Sequence, residues 1–173
     1  TDGPLIAGVR MVAHSAADGS DTLRGGAGDD VVIGGGGADN IHGGLGADTI
    51  NAGGGNDSIG FNEAEDGVAD TVDGGDGADN YYIYSGNTPD IYVDSSSDGS
   101  VDTLWGYTNG TSTYYLTDNF SRATSGIDRI YDAYHTPTTY LGSSSHTTAL
   151  NWDLTGIDLQ YIEQIRGGTQ GDT

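Results

Sequence analysis

The chain has no cysteine and no lysine, only three prolines, two phenylalanines and one methionine, and no apolar run long enough to cross a bilayer. Each shortage excludes something. Without cysteine there are no disulfides and no thiolate metal sites, so a bound metal has to be a hard cation held by oxygen, and the redox compartment is left open. Basic charge is scarce too: five arginines face 26 Asp and Glu, for a formal net charge of -21. Nucleic acid and anionic membrane surfaces repel such a chain, and cations are its natural partners. Hydrophobic residues make up 34% of 173 positions, which serves one domain or two small ones only if they are well placed. Low apolar content with high net charge describes a chain that stays disordered unless something besides a core holds it.

What is abundant is glycine, 31 residues, and aspartate at a fixed interval. Asp21, Asp30, Asp39, Asp48 and Asp57 stand nine residues apart, and two positions after each comes Leu23, Val32, Ile41, Ile50 or Ile59. The first four positions of each unit are mostly glycine, as in GGAGDDVVI (25–33), GGGGADNIH (34–42), GGLGADTIN (43–51) and AGGGNDSIG (52–60). The four residues Phe61 to Ala64 interrupt the count, after which Asp70 with Val72 and Asp79 with Tyr81 resume it. Seven units result, with the first (AADGSDTLR) and the sixth (EDGVADTVD) degenerate, on a consensus GGxGxDxUx with U apolar.

The x-U-x part suits a three-residue strand with only U facing inward, because strand side chains alternate between faces. Burying one aliphatic side chain stabilises by about 1.5–3 kcal/mol. Ordering nine residues costs on the order of 10 kcal/mol in backbone entropy. Apolar burial alone therefore loses, and ligands must supply the difference: glycine loops can aim backbone carbonyls at an ion while Asp supplies charge.

This pattern resembles the RTX family of calcium-binding nonapeptide repeats over residues 16–82. The resemblance implies an all-β fold, a right-handed parallel β-roll with two units per turn, in which the loops of units i and i+2 stack and clamp Ca2+ between them. It pairs Asp21 with Asp39, Asp30 with Asp48, Asp39 with Asp57, Asp48 with Asp70 and Asp57 with Asp79. It assigns to the metal loops Gly26, Gly28, Gly35, Gly37, Gly44, Gly46, Gly53, Gly55, Gly75 and Gly77. Several calcium ions are expected, since such a flexible oxygen cage suits calcium better than magnesium. Without metal, two carboxylates about 4 Å apart repel by about 4 kcal/mol at an effective dielectric of about 20, so metal binding and folding are one event. Extracellular calcium modules bind at about 0.1–1 mM. The resemblance thus implies a chain that is unfolded in the cytosol and folds once exported, by a type I secretion route.

Beyond residue 80 the composition changes. All 11 Tyr lie between Tyr81 and Tyr161, both Trp are here, and Asp-x-apolar recurs at Asp90, Asp102, Asp118 and Asp128 without the nine-residue interval. The division expected is a lead-in over 1–15, the roll over 16–82, and a tyrosine-rich, degenerate continuation of the β-solenoid with longer loops over 83–173. Within it, DSSSDGSVD (94–102) has the form of a calcium loop with oxygen ligands at Asp94, Asp98 and Asp102, although Trp105 stands where an EF-hand needs Glu. An ordinary polar turn is the stronger reading there, as a solvated insertion is for Asn62 to Gly67. The aromatic residues suit core rungs better than an extracellular polysaccharide platform.

No catalytic residue is expected. Ser and Asp are too common for a Ser-His-Asp set to mean anything, His14, His135 and His146 have no zinc-protease context, and His42 at the ninth repeat position should point outward. The sequons at Asn109 and Asn119 are attributed to chance. Thr1 suggests a mature or excised piece, and GGTQGD at 167–172 begins a repeat without finishing it, which suggests an exposed edge and head-to-tail self-association. The expected function is a calcium-binding structural module of a secreted surface, matrix, adhesin or fibre protein. The alternatives are an accessory domain of a secreted enzyme (protease, lipase or alginate-modifying) or a polysaccharide-binding module.

Overall fold

A computed structural model describes residues 9–13, 19–60, 67–84, 90–93, 95–96, 98–107, 112–116, 121–133, 139–143, 152–162 and 164–166. In the first part, strands β1 (Val9–Ala13), β2 (Thr22–Ala27), β3 (Asp29–Gly36), β4 (Asn40–Leu45), β5 (Thr49–Gly54), β6 (Ser58–Ile59), β7 (Thr71–Asp76), β8 (Asn80–Tyr84) and β9 (Ile91–Val93) follow in order. Odd strands form one sheet, β1-β3-β5-β7-β9, and even strands begin another. Every pairing is parallel, with Leu23 beside Ile41 and Val32 beside Ile50. One turn is thus two nonapeptides, a separation of 18 residues. The chain is an all-β solenoid whose turns alternate between two sheets.

The apolar position of each unit forms the core. Leu23, Ile41, Ile59 and Tyr81 line the even sheet and Val32, Ile50, Val72 and Tyr92 the odd one, all buried. One inward residue per strand cannot fill this space alone; Ala52 and Ile83, two positions further on the same faces, add to it. The strands also exceed the three residues expected. β2, β4 and β5 have six and β3 has eight, because the extended glycines themselves pair, Gly26 with Gly44 and Gly35 with Gly53. Past the four-residue interruption the pairing resumes unchanged, Ile50 with Val72 and Ile59 with Tyr81.

The later strands are β10 (Thr103–Tyr107), β11 (Ser112–Leu116), β12 (Arg129–Asp132), β13 (Thr139–Ser143), β14 (Asp158–Gln160) and β15 (Gln164–Arg166), with a helical turn α1 (Arg122–Ser125). The even sheet continues as β8-β10-β12-β14, with turns lengthening to 23, 26 and 29 residues. On this face the solenoid does continue with longer loops. On the other face it does not: α1 packs against β9, and β11, β13 and β15 make a separate three-stranded sheet. Tyr114 of β11 is fully buried against Gly106 of β10, where an added Cβ would meet the ring at 2.4 Å. Among the described residues no helix is long and apolar enough to cross a membrane.

Candidate metal site

Each repeat aspartate stands at the entrance to its strand, and its backbone N–H donates to the carboxylate of the aspartate one turn further on. Along one edge Asp21 donates to Asp39 Oδ1, Asp39 to Asp57 and Asp57 to Asp79, each at 2.8 Å. Along the opposite edge Asp30 donates to Asp48 and Asp48 to Asp70, both at 2.8 Å. The structure thus brings together all five expected pairs, and it extends both columns: Asp70 to Asp90 (3.0 Å), Asp79 to Asp102 (2.9 Å) and Asp102 to Asp128 (3.2 Å).

Asp30, Asp39, Asp48, Asp57, Asp79 and Asp102 are all buried. A buried carboxylate needs compensation for its lost hydration. The Oδ1 atoms of Asp39 and Asp57 have an N–H each, while Oδ2 of both residues accepts no hydrogen bond among the described residues. Oδ2 faces the first glycine of the residue's own loop: a Cβ at Gly34 would lie 2.7 Å from Asp39 Oδ2, and one at Gly74 would lie 2.3 Å from Asp79 Oδ2. The electrostatic consequence shows at Asp57, whose pKa rises from 3.8 to about 6, mainly by burial, with the charge of Asp39 adding to it against the Asp39 N–H. At Tyr81, burial and then the carboxylates of Asp79 and Asp102 push the phenol far up, another sign of negative potential along this edge.

Between the carboxylates run the glycine loops. Gly26, Gly28, Gly35, Gly37, Gly44, Gly46, Gly53, Gly55, Gly75 and Gly77 all have positive φ. The loops are bonded to each other through Gly28 N–H to Leu45 O, Gly37 N–H to Gly54 O and Gly55 N–H to Asp76 O, each 2.7 Å. Among the described residues no three Asp, Glu, His or Cys side chains gather closely enough to hold a metal. A cation here would therefore draw on one carboxylate oxygen at a time plus backbone carbonyls of two stacked loops. These residues fit a calcium ion: the donors are hard oxygens, the Asp39 and Asp57 Oδ2 atoms still lack hydrogen, and the charge is in excess.

The loop over 94–102 divides. Asp94 lies outside the described residues. Asp98 accepts the Gly77 N–H and the Ser100 N–H, both at 2.7 Å, and these bonds, that of Ser100 first, hold its carboxyl below the usual range. Asp102 belongs to the aspartate column. The segment Asp98 to Asp102 thus follows 75–79 one turn on as a worn nonapeptide loop, hidden in the sequence because Ser97, Asp98 and Ser100 stand at the repeat's glycine positions.

Sequence reasoning also missed a second rail at the fifth repeat position. Ala47 N–H donates to Asp29 Oδ1 and Ala78 N–H to Asn56 Oδ1, each at 3.0 Å. Its signal was there: that position carries Asp29, Ala38, Ala47, Asn56 and Ala78, a residue that accepts or one that only donates its N–H. His42, expected to point outward, is buried, with its pKa lowered by burial and then by Arg24, its register partner on β2. His14, His135 and His146, the insertion residues Asn62 to Asp66 and both sequon asparagines lie outside the described residues.

The aromatic residues do two jobs. Tyr81, Tyr92 and Tyr114 are core. Tyr82, Tyr84, Trp105, Tyr107 and Tyr131 sit half-exposed on the outer face of the even sheet, with Tyr82 5.5 Å from Tyr107 and Trp105 4.5 Å from Tyr131 between ring centres.

Comparison with protein-family models matches the RTX calcium-binding nonapeptide repeat, in four copies, over residues 15–50 and 33–63. The match ends at the four-residue interruption, although the structure carries the same stacking through Asp79 and beyond. Comparisons with curated proteins and with solved structures gave no significant match.

Proposed function

Residues 15–63 are RTX calcium-binding nonapeptide repeats, and from that premise we propose that the chain is a non-enzymatic, secreted structural module that folds when it meets extracellular calcium. The observation that supports this most is the pair of continuous carboxylate columns, in which Asp39 and Asp57 each keep a buried oxygen that accepts no hydrogen bond. When bound, calcium supplies the positive charge that lets these carboxylates stack. The chain's own part is to order the loops: each Asp fixes the one before it through its N–H, and the glycine loops seat carbonyls one turn apart.

In the low calcium of the cytosol the columns repel and the chain stays extended, ready for a type I export route; outside, it becomes a rigid element of a surface, matrix, adhesin or fibre protein, with head-to-tail stacking of copies as the route to assembly. The same module can serve as the accessory domain of a secreted enzyme whose chemistry resides elsewhere. Far-UV circular dichroism and sedimentation velocity in calcium and then in EDTA test the reading. Calcium is expected to give a β spectrum and a compact particle, and EDTA to abolish both; a spectrum indifferent to calcium overturns it, and a monomer at every concentration overturns the stacking.

A second reading, recognition of an extracellular polysaccharide, is supported by the outward rings of Tyr82, Trp105 and Tyr131, which follow the strand register from β8 to β12. Aromatic faces pack on the apolar faces of sugars, and the net charge favours a neutral glycan over a polyuronate. Trp105→Ala is expected to abolish retention on such a glycan in calcium buffer while leaving the calcium-induced spectrum in place; equal retention of both proteins removes this reading.

A further inference from the structure

On one edge the described carboxylate column reaches Asp90, whose Oδ1 accepts the Asp70 N–H and whose Oδ2 accepts the Tyr92 hydroxyl at 3.3 Å. On the other the last member is Asp128, whose Oδ2 accepts the Asp102 N–H and whose Oδ1 accepts the Arg122 Nε–H in a close ion pair. The next turn has no successor, because Asp158 has moved one place along: its N–H bonds to Asp128 O, it aligns with Arg129 and it pairs with that arginine at 3.2 Å. Upstream, at Asp39 and Asp57, one oxygen has an N–H and the other accepts no hydrogen bond. At Asp128 both oxygens are taken, one by a cation that belongs to the chain.

The loops around Arg122 have changed to make room for it. The loops of Gly99, Gly126 and Thr155 part to form a cleft of about 430 Å³. Arg122 lies in it, and its Cδ is the nearest atom, at 3.5 Å, to a Cβ built at Gly156. An arginine fits this role: its charge is permanent and its fork suits carboxylates.

We propose that Arg122 takes the place of a calcium ion at the last rung of this column, so that the Asp102–Asp128 loop pair is charge-compensated from within and the metal-dependent roll ends on a metal-independent cap. This rests on the calcium reading of the upstream rungs. A rung closed this way contributes order before any calcium arrives, and gives the metal-dependent turns a fixed template.

The test is calcium-induced folding of the full chain, followed by circular dichroism, for wild type, Arg122→Gln, Arg122→Lys, Asp128→Asn and the Arg122→Gln/Asp128→Asn double variant. Losing an exposed charge pair changes an equilibrium constant by about 1.5- to 5-fold, so Arg122→Gln is expected to raise the calcium midpoint by that order. Arg122→Lys is expected to stay near wild type, and the double variant to recover most of the loss because no carboxylate is left uncompensated. A wild type that responds to calcium beside an Arg122→Gln protein with the same midpoint, or with a deficit unchanged by Asp128→Asn, overturns the proposal alone. A wild type indifferent to calcium overturns it together with the reading it rests on.

Discussion

Gly55→Ala is expected to cost the calcium-loaded roll more than about 3 kcal/mol, while Gly54→Ala, one residue away, leaves stability unchanged or raises it by about 0.5 kcal/mol. The two differ in where their Cβ would go and in the sign of φ. Gly55 has φ +128, and its Cβ would sit 2.0 Å from Gly37 O and 2.5 Å from Gly37 C, atoms of the backbone that cannot rotate aside. Relief requires prising the loop of 52–57 from that of 34–39, which also breaks Gly37 N–H to Gly54 O and loosens the carbonyls that a cation would share. Gly54 meets nothing within 4 Å and its φ is not positive, so there an alanine only narrows the unfolded ensemble. Urea unfolding in saturating calcium, with the calcium midpoint measured alongside, separates them. Equal behaviour of the two variants would mean that the loops do not stack as described.

That contrast marks the limit of what the sequence could disclose. Both residues occupy a run of three glycines, Gly53 to Gly55, and the nine-residue count alone cannot say which are structural. The count does carry the fold of residues 19 to 84, because a period of nine with one apolar residue admits one inward side chain per strand, and two units per turn then follow from the family resemblance. It carries the aspartate pairs for the same reason. It fails where the period fails. The stretch 94–102 reads as a polar turn or a lone calcium loop because Ser97, Asp98 and Ser100 stand at the repeat's glycine positions, whereas in space Asp102 simply follows Asp79.

Two further features were hidden for physical reasons. The separate sheet of β11, β13 and β15 sets Tyr114 against Gly106, a contact between residues with no fixed spacing. Arg122 is hidden because a guanidinium replacing an ion leaves no repeat to detect; only its neighbourhood, T-S-G-I-D at 124–128 echoed by L-T-G-I-D at 154–158, hints that two loops of one kind meet there. The four-residue interruption, by contrast, looked like a break and is none, since it lies between a strand of each sheet and shifts both by the same amount.

The sharpest consequence of a buried carboxylate column is a substitution whose effect changes sign with the metal. With calcium present, Asp57→Asn removes the charge that a cation would meet and the charge-assisted acceptor of the Asp39 N–H, so it is expected to destabilise by about 1.5–3 kcal/mol and to raise the calcium midpoint. In chelator it removes a buried charge next to that of Asp39, and residual β-structure is expected to increase. The same logic fixes the pH response of the metal-free wild type. Asp57 titrates at about 6 in the roll against 3.8 for an ordinary aspartate, so the folded state holds its proton more tightly. Folded stability then falls as pH rises through the window from about 4 to about 6, and acidification of the chelated protein restores order that calcium would otherwise provide. Circular dichroism of wild type and Asp57→Asn in EDTA from pH 7 to pH 4 reads both effects. The wild type should gain signal on acidification and the variant should gain less, having lost the group that titrates; a wild-type signal that falls steadily over that range would show that the column is not the seat of the metal-free instability.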